Sequence, residues 1–298
     1  NQRPEFHGSD LEKIAAYYHI PASEIPGIIK FGANVNPLGL SESVKNDLAG
    51  HLDIISSYPD RNYTSLKKTI GEYCHISPKH IVVGNGSTEL ISLLISQRQA
   101  KKALVVGPTY SEYERELALT GGTITEYNLK EDLNFQLDMQ DFFASMADDV
   151  DLLILCNPNN PTSSAIKNHD MKQILTFCKE RNIFVMIDET YVEFAPDVAE
   201  ITAIPLTDEF DNVMVIRGVS KFYAAPGLRF GYGITSNHEF LEALLIHQNP
   251  WSLNSVAAYA GERMFKDNTY QQTTRQLICS ERDRMYMAIQ NMPAFKAY

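Results

Sequence analysis

The sequence is poor in positive charge. Its 298 residues include 26 lysines and arginines against 37 aspartates and glutamates, and the formal net charge is −11. Nucleic acids and anionic membranes are polyanions, so a general binder of either class is disfavoured. No apolar run approaches the roughly 20 residues of a membrane-spanning helix, and no signal-peptide pattern opens the chain. We therefore expect no nucleic-acid partner and no membrane, while small anionic ligands remain open.

Cysteine is also scarce, and the chain has no internal repeat and no low-complexity linker. The four cysteines lack metal-ligand or paired spacing, so we expect reduced thiols, no metal and a cytoplasmic protein. The sequence starts at Asn1 rather than at methionine. This start indicates a processed chain or a piece of a longer one.

The composition that is present is that of a globular protein, with 44% hydrophobic and 21% charged residues. Short β-rich runs alternate with longer helical patterns, which predicts βα units around a mainly parallel sheet. The predicted strands are Ile81–Val83, Ala103–Val106, Thr123–Tyr127, Leu152–Leu155, Ile183–Ile187, Val213–Ile216 and Gly231–Thr235. The predicted helices are Asp10–Tyr18, Tyr63–Tyr73, Thr88–Gln97, Ser111–Leu119, Asn168–Lys179, His238–His247, Leu253–Phe265 and Tyr270–Asn291.

The domain organisation is expected to be uneven. The length suits a large α/β domain with a smaller one, and we place the large domain at residues 46–245. Residues 1–45, with an extended piece at Ile29–Val35, are expected to contribute to the small domain. Residues 246–298 would supply the connecting helix and the start of that domain.

Polar or glycine-rich residues follow the predicted strands, at the edge where parallel sheets bind ligands. Gly84–Thr88 follows the first strand. It is either a phosphate seat at a helix start or a tight turn in which Ser87 or Thr88 caps the helix. The loop "NPNNPT", residues 157–162, is either a plain turn or a rigid support for the Asn160 amide.

Three charged side chains follow later strands. Asp188 would be costly to bury unless it is paired, and the alternative is an exposed capping carboxylate. Lys221 is either a surface lysine or a desolvated nucleophile, and Arg229 could pair with a phosphate or a carboxylate. Together with an amide and a phenol, these groups suit pyridoxal 5′-phosphate, which needs an amine, a carboxylate at the ring nitrogen and an anion seat.

The motifs "NPNNPT", "IDETYVEF" and "SKFYAAPGLRFGYG" resemble those of the fold-type I aminotransferases (class I/II). The nearer resemblance is to histidinol-phosphate aminotransferase and threonine-phosphate decarboxylase. Further matching segments extend it over nearly the whole chain: "FHGSD", "FGANVNPLGL", "SSYPD", "GNGSTELI", "GPTYSEYERELALTGG" and "QNPWSLNSVAAYAG". The pattern is specific for the superfamily and much less specific for the substrate.

The resemblance implies a fold-type I architecture, with a mainly parallel seven-stranded sheet in the large domain, and the cofactor pyridoxal 5′-phosphate. Lys221 would be the Schiff-base lysine and proton shuttle, Asp188 the partner of the pyridinium nitrogen, and Tyr110 the residue stacked on the ring. Asn160 and Tyr191 would bind the ring hydroxyl. The phosphate would be bound by Gly86, Ser87, Thr88, Ser220 and Arg229.

The resemblance also implies roles for residues outside these strand ends. Tyr58 resembles a tyrosine that reaches the phosphate of the neighbouring subunit, which implies a homodimer. His7, Gly8 and Asn34 match positions that line the substrate site, together with Asn160.

The sequence departs from the family pattern at several points. Gly218 stands where a serine or threonine is usual, Ser163 replaces a glycine, and Gly32 stands where serine is common. Family members also continue beyond a position like Tyr298, through an arginine that grips the substrate carboxylate. We expect that the chain is truncated rather than that this grip is lost.

The leading functional prediction is an aminotransferase of the histidinol-phosphate type, acting between an amino acid or amino-phosphate and a 2-oxo acid. The alternative is a lyase resembling L-threonine-O-3-phosphate decarboxylase. A catalytically idle domain is a third possibility, which the five intact residues Lys221, Asp188, Asn160, Tyr191 and Arg229 argue against. A dinucleotide-binding sheet is weaker still, because the glycine cluster lacks the spaced third glycine.

Overall fold

The computed structural model describes residues 10–298, and these residues contain one seven-stranded sheet. In chain order the strands are β1 (Ile81–Asn85), β2 (Lys102–Gly107), β3 (Thr123–Asn128), β4 (Leu152–Cys156), β5 (Phe184–Asp188), β6 (Val213–Gly218) and β7 (Phe230–Ile234). Across the sheet the order is β1-β7-β6-β5-β4-β2-β3. Only β7 runs antiparallel to its neighbours among these strands. The predicted mainly parallel seven-stranded sheet is confirmed.

The α-helices that the structure describes lie before, between and after the strands. They are α1 (Leu11–Tyr17), α2 (Glu42–Ala49), α3 (Thr64–Cys74), α4 (Gly86–Arg98), α5 (Glu112–Leu119), α6 (Met139–Ser145), α7 (Asn168–Glu180), α8 (His238–His247), α9 (Ser255–Met264) and α10 (Asn268–Gln290). Helices α2 and α6 were not predicted. Residues 28–35, which include the predicted extended piece, form an irregular loop with a bend.

Both faces of the sheet are covered by apolar clusters. Successive side chains of a strand point to opposite faces, so neighbouring residues of one strand belong to different clusters. In β5, Val185 and Ile187 belong to one apolar cluster, which also receives Ile174 of α7. Phe184 and Met186 belong to the other, beneath helices α4 and α8. Burial on both faces explains why the central strands are continuous apolar runs, and it leaves the strand ends as the place for polar groups.

The parallel strands β4, β5 and β6 end at one edge of the sheet. Cys156 pairs with Asp188 in register, and the backbone N–H of Asn157 donates to the Asp188 carbonyl over 2.9 Å. Beyond this edge lie the Asn-Pro loop, the Asp188 carboxylate and the segment that carries Lys221. The fold therefore brings together groups that are far apart in the sequence.

The four cysteines are free, as predicted: Cys156 and Cys178 are buried, and Cys74 and Cys279 are half-buried. The cytoplasmic location stays a prediction. Within residues 10–298, no helix combines the length and apolarity that crossing a membrane requires, and no group of acidic, histidine or cysteine side chains there could hold a metal ion.

Candidate active site

Asp188 is the last residue of β5 and is only 4% exposed. Its carboxylate is held by three donors. The Tyr113 hydroxyl donates to Oδ2 over 2.6 Å, and Thr190 donates to Oδ1 from its backbone N–H at 3.0 Å and from its hydroxyl at 2.5 Å. Buried carboxylates require such partners. The capping alternative is therefore wrong in its main premise, since the side chain is buried rather than exposed.

Tyr110 lies beside this carboxylate, in the loop between β2 and α5. Its ring packs edge-to-face on Tyr113, with the centroids 5.6 Å apart. Burial raises the pKa of the Tyr110 phenol, and the charges of Asp188 and Arg229 act on it in opposite directions. The phenol thus lies near two charged groups, one at the end of β5 and one in the segment after β6.

Lys221 follows β6 and is half-buried. Its Nζ donates to the Ala33 carbonyl over 2.7 Å, and burial lowers the pKa of the amine from its ordinary value. A lowered pKa increases the neutral, nucleophilic fraction of a lysine. The structure thus favours the desolvated lysine over the surface lysine of the two alternatives.

Asn34, Asn160 and Tyr191 line one open cavity of about 790 Å³. Asn34 Nδ2 lies 3.5 Å from the Tyr191 hydroxyl, and burial raises the pKa of this phenol despite the opposing hydrogen bond from Asn34. Lys221 does not line this cavity itself, but its Nζ bonds the carbonyl of Ala33, the residue before Asn34. A donor amide and a phenol thus face a space large enough for a small-molecule ligand.

The Asn-Pro loop is built by two asparagines that sequence reasoning did not single out. Asn157 is fully buried, and its amide bonds the carbonyls of Ile166 and Ile201 at 3.0 and 3.1 Å. Asn159 Nδ2 donates to Pro108 O over 2.9 Å. Ser163 has a φ of +57°, which accounts for the glycine usual in the family. The loop is rigid, and it presents Asn160 to the cavity.

The glycine-rich turn opens helix α4, whose first residue is Gly86 with a φ of +83°. Ser87 and Thr88 follow in the first turn, where backbone N–H groups have no partner within the helix. Arg229 Nη2 donates to the Thr88 hydroxyl over 3.0 Å. The helix start and a guanidinium therefore converge, as an anion site requires.

Two glycines of the β6–β7 pair shape this anion site. Gly218 and Gly231 are paired in register. A Cβ at Gly231 would lie 2.6 Å from the carbonyl carbon of Gly86, so only glycine permits this approach. A Cβ at Gly218 would lie 3.7 Å from Ser87 Oγ, an ordinary contact. Gly218 thus faces the α4 start with room for a side chain, and Ser220 is half-buried two residues further on.

One predicted site residue among the described residues is not brought to this place within the chain. Tyr58 is 81% exposed and packs against Trp251, with ring centroids 4.8 Å apart. It lines a separate cavity with Tyr63 and Tyr259. His7 and Gly8 lie outside the described residues.

The residues at the strand ends fit pyridoxal 5′-phosphate. Lys221 offers an amine of lowered pKa, and Asp188 offers a buried carboxylate whose donors fix its position. The start of α4 and Arg229 together offer an anion-binding site, and Gly231 packs closely against the backbone at the start of α4. Amine, carboxylate and anion seat are the three groups that this cofactor needs.

Sequence reasoning missed the residues that support the site. Tyr113 and Thr190 hold Asp188, and Asn36 contacts the segment around Lys221. Buried Arg217 pairs with Glu189, at 2.9 Å, behind the site. An arginine inside an apolar strand was an available signal, because a buried guanidinium requires a carboxylate partner.

Comparisons with known proteins agree with this geometry. The family described as "Aminotransferase class I and II" matches residues 26–298. Threonine-phosphate decarboxylase of Salmonella typhimurium is 34% identical over 292 residues, which cover 98% of this chain and 79% of the relative. Histidinol-phosphate aminotransferase of Caldicellulosiruptor saccharolyticus is 31% identical over 275 residues, covering 91% and 75%. The crystal structure of the Clostridium acetobutylicum histidinol-phosphate aminotransferase has 34% identity and a TM-score of 0.80, covering 87% of this chain and 75% of that one. The chain belongs to the class I and II aminotransferases and is a pyridoxal 5′-phosphate-dependent enzyme.

Proposed function

We propose that the protein is an aminotransferase of the histidinol-phosphate type, which moves an amino group between an amino acid or amino-phosphate and a 2-oxo acid. The observation that carries this proposal is the half-buried Lys221 amine, whose Nζ donates to the Ala33 carbonyl over 2.7 Å. Amino transfer needs a base that moves a proton between two carbon atoms. Decarboxylation does not require removal of that proton.

Each site residue has a role in this proposal. Lys221 Nζ would hold the cofactor and then carry the proton. Asp188 would bond the ring nitrogen, Tyr110 would stack on the ring, and Asn160 and Tyr191 would bond the ring hydroxyl. When bound, pyridoxal 5′-phosphate supplies an electron sink. Gly86, Ser87, Thr88, Ser220 and Arg229 would hold its phosphate.

A second candidate is decarboxylation of O-phospho-threonine or a similar amino acid. It is supported by the 34% identity to the Salmonella decarboxylase over 98% of this chain. The two reactions share the same cofactor-binding groups. They differ in which bond to the substrate α-carbon is broken, and hence in how the substrate is oriented.

Product analysis separates the two candidates. The purified enzyme is incubated with histidinol phosphate and 2-oxoglutarate, and separately with O-phospho-threonine, with Lys221→Ala as the blank. Glutamate formed from the oxo acid supports amino transfer. Carbon dioxide released without amino-group exchange contradicts it and supports the second candidate, and neither product from an enzyme that has bound cofactor contradicts both.

We further propose that the enzyme is a homodimer in which Tyr58 serves the site of the partner subunit. Tyr58 is exposed and lies in a cavity separate from the one lined by Asn160 and Tyr191 of its own chain. An exposed tyrosine is suited to contact a second copy of the chain, because tyrosine is enriched at protein–protein interfaces. Each active site of the dimer would then contain residues from both subunits.

A further inference from the structure

Asn36 is a buried side chain, 3% exposed, that joins parts of the chain far apart in sequence. Its Nδ2 lies 2.8 Å from the Phe222 carbonyl, 2.8 Å from the Tyr270 hydroxyl and 2.9 Å from Thr274 Oγ1. Its Oδ1 accepts from the Leu38 N–H over 3.0 Å, which fixes the orientation of the amide. A buried polar group satisfied on every side makes the surrounding structure rigid.

Asn36 also contacts the main chain at the active-site lysine. Its backbone N–H donates to the Lys221 carbonyl over 3.0 Å. Together with the Phe222 bond, this gives Asn36 two contacts to consecutive backbone carbonyls at and after the lysine. The position of Asn36 thus sets the position of the backbone from which the lysine side chain extends.

We call residues 33–36 the strap. Asn36, at one end of the strap, contacts the backbone at Lys221, and Ala33, at the other end, contacts the tip of the Lys221 side chain. The Ala33 carbonyl accepts a hydrogen bond from Lys221 Nζ at 2.7 Å, and Asn34 approaches the Tyr191 hydroxyl. One short segment therefore holds both the backbone and the amine of Lys221. A lysine side chain is flexible, so the contact at its tip restricts an otherwise mobile group.

The strap is itself anchored on helix α10. The Tyr270 hydroxyl donates to the Gly39 carbonyl over 2.7 Å while it accepts from Asn36, and Thr274 is fully buried one turn later. Helix α10 has 23 residues, so the anchor is a long element rather than a loop.

We propose that Asn36 is a positioning residue for Lys221: by fastening the strap to α10 and to the lysine segment, it places the Ala33 carbonyl against the amine. The inference rests on the proposed role of Lys221 in cofactor binding and catalysis. It concerns the placement of the amine rather than the reaction that follows.

Accessibility of the amine tests the proposal in the full chain freed of cofactor. Acetic anhydride labels lysines, and the rate at Lys221 is followed by peptide mass spectrometry for wild type and Asn36→Ala. The matched control is Asn212→Ala. Asn212 Nδ2 also bonds two carbonyls, Leu175 O at 3.2 Å and Ile183 O at 3.3 Å, but lies at the opposite end of β6.

The expected result is labelling of Lys221 on the order of tenfold faster in Asn36→Ala than in wild type, because a strap without its buried hydrogen bonds opens more often. Asn212→Ala should label Lys221 at the wild-type rate. Equal rates in folded Asn36→Ala and wild type would overturn the proposal, as would the same acceleration in both asparagine variants.

A milder variant covers the case in which Asn36→Ala does not fold. Thr274→Val keeps the shape of the side chain and removes one partner of Asn36, so a smaller acceleration is expected, and no acceleration contradicts the proposal. Failure of the proposed function is a separate result. If Lys221→Ala keeps the absorbance of bound cofactor, the role of Lys221 is wrong, while the labelling rates still decide whether Asn36 positions it.

Discussion

Tyr113 donates its hydroxyl to Asp188 Oδ2 over 2.6 Å, and both side chains are buried. Burial raises the pKa of the Tyr113 phenol well above its ordinary value, with the Asp188 charge as the next cause. The raised pKa favours the protonated phenol, which is the form that donates the hydrogen bond. A helix residue thus holds the carboxylate that we propose bonds the cofactor.

Tyr113→Phe removes this donor and leaves the shape of the ring. We expect cofactor affinity to fall about tenfold, because a hydrogen bond to a buried charged group is lost. The dissociation constant for pyridoxal 5′-phosphate measures the change. Tyr127→Phe is the control: its hydroxyl donates to Asp141 over 2.9 Å on the edge strand β3, so affinity should not change. Unaltered affinity in Tyr113→Phe would contradict the role of this pair.

The glycine pair of β6 and β7 predicts opposite effects of the same substitution. Gly218→Ser places a hydroxyl toward Ser87 without a close contact, so cofactor affinity should rise several-fold, in the range of one added hydrogen bond. Gly231→Ser forces the new side chain into the backbone of Gly86 and Ser87, so affinity and thermal stability should both fall. Titration with cofactor and thermal melting measure the two effects. Equally tight cofactor binding by Gly231→Ser and Gly218→Ser would contradict the roles given to these two glycines.

The buried Glu193 carboxyl should make the free energy of unfolding depend on pH. Its carboxyl is 1% exposed, both oxygens lack a hydrogen-bond partner among the described residues, and burial raises its pKa from 4.5 to about 7. Between these values the folded chain binds the proton that the unfolded chain has lost. Stability from this group is therefore full below pH 4.5 and is lost as the pH rises through 7, by about 3 kcal/mol.

Glu193→Gln removes this titration. The variant should be more stable than wild type at pH 8 and should show a flatter dependence of the unfolding free energy between pH 5 and 8 when measured by urea denaturation. Glu72→Gln, a substitution of a carboxylate in helix α3, is the control. A wild-type slope in Glu193→Gln means that another group titrates there.

Mixed dimers test the proposed contribution of Tyr58. Tyr58→Ala and Lys221→Ala should each be inactive or nearly so when pure. After the two are mixed and subunits exchange, roughly a quarter of wild-type activity should return, because half of the dimers are mixed and each mixed dimer has one intact site. No recovery in a mixture shown by mass analysis to contain mixed dimers means that Tyr58 does not act across an interface.

The strands were predictable because burial on both faces makes them apolar runs, and the groups at their ends were predictable because parallel strands end at one edge. Ser87, Asp188 and Lys221 are local signals of this kind. The sequence of the helix that carries Tyr113 shows only an amphipathic pattern. The contact between Tyr113 and Asp188 was not predictable, because the two residues are 75 positions apart. The same holds for Asn36, whose partner Phe222 is 186 residues distant.

The predicted extended piece, Ile29–Val35, lies in an irregular loop and joins no described strand. Its β-branched residues favour a strand, but residues 33–36 bond the Lys221 segment and α10 instead of a neighbouring strand. The left-handed φ of Asn34, +52°, ends the extended conformation there. Long-range contacts of single side chains decided this segment, and the predicted domain boundaries stay predictions.

Lys221 is the residue proposed to hold the cofactor. The most direct measurement is the visible absorbance spectrum of the purified enzyme after addition of pyridoxal 5′-phosphate and exhaustive dialysis, for wild type and Lys221→Ala. Wild type should keep the band of cofactor joined covalently to a lysine, and the variant should lose it together with activity, on the order of a thousandfold. A band retained in Lys221→Ala, or a colourless wild type, would contradict the account.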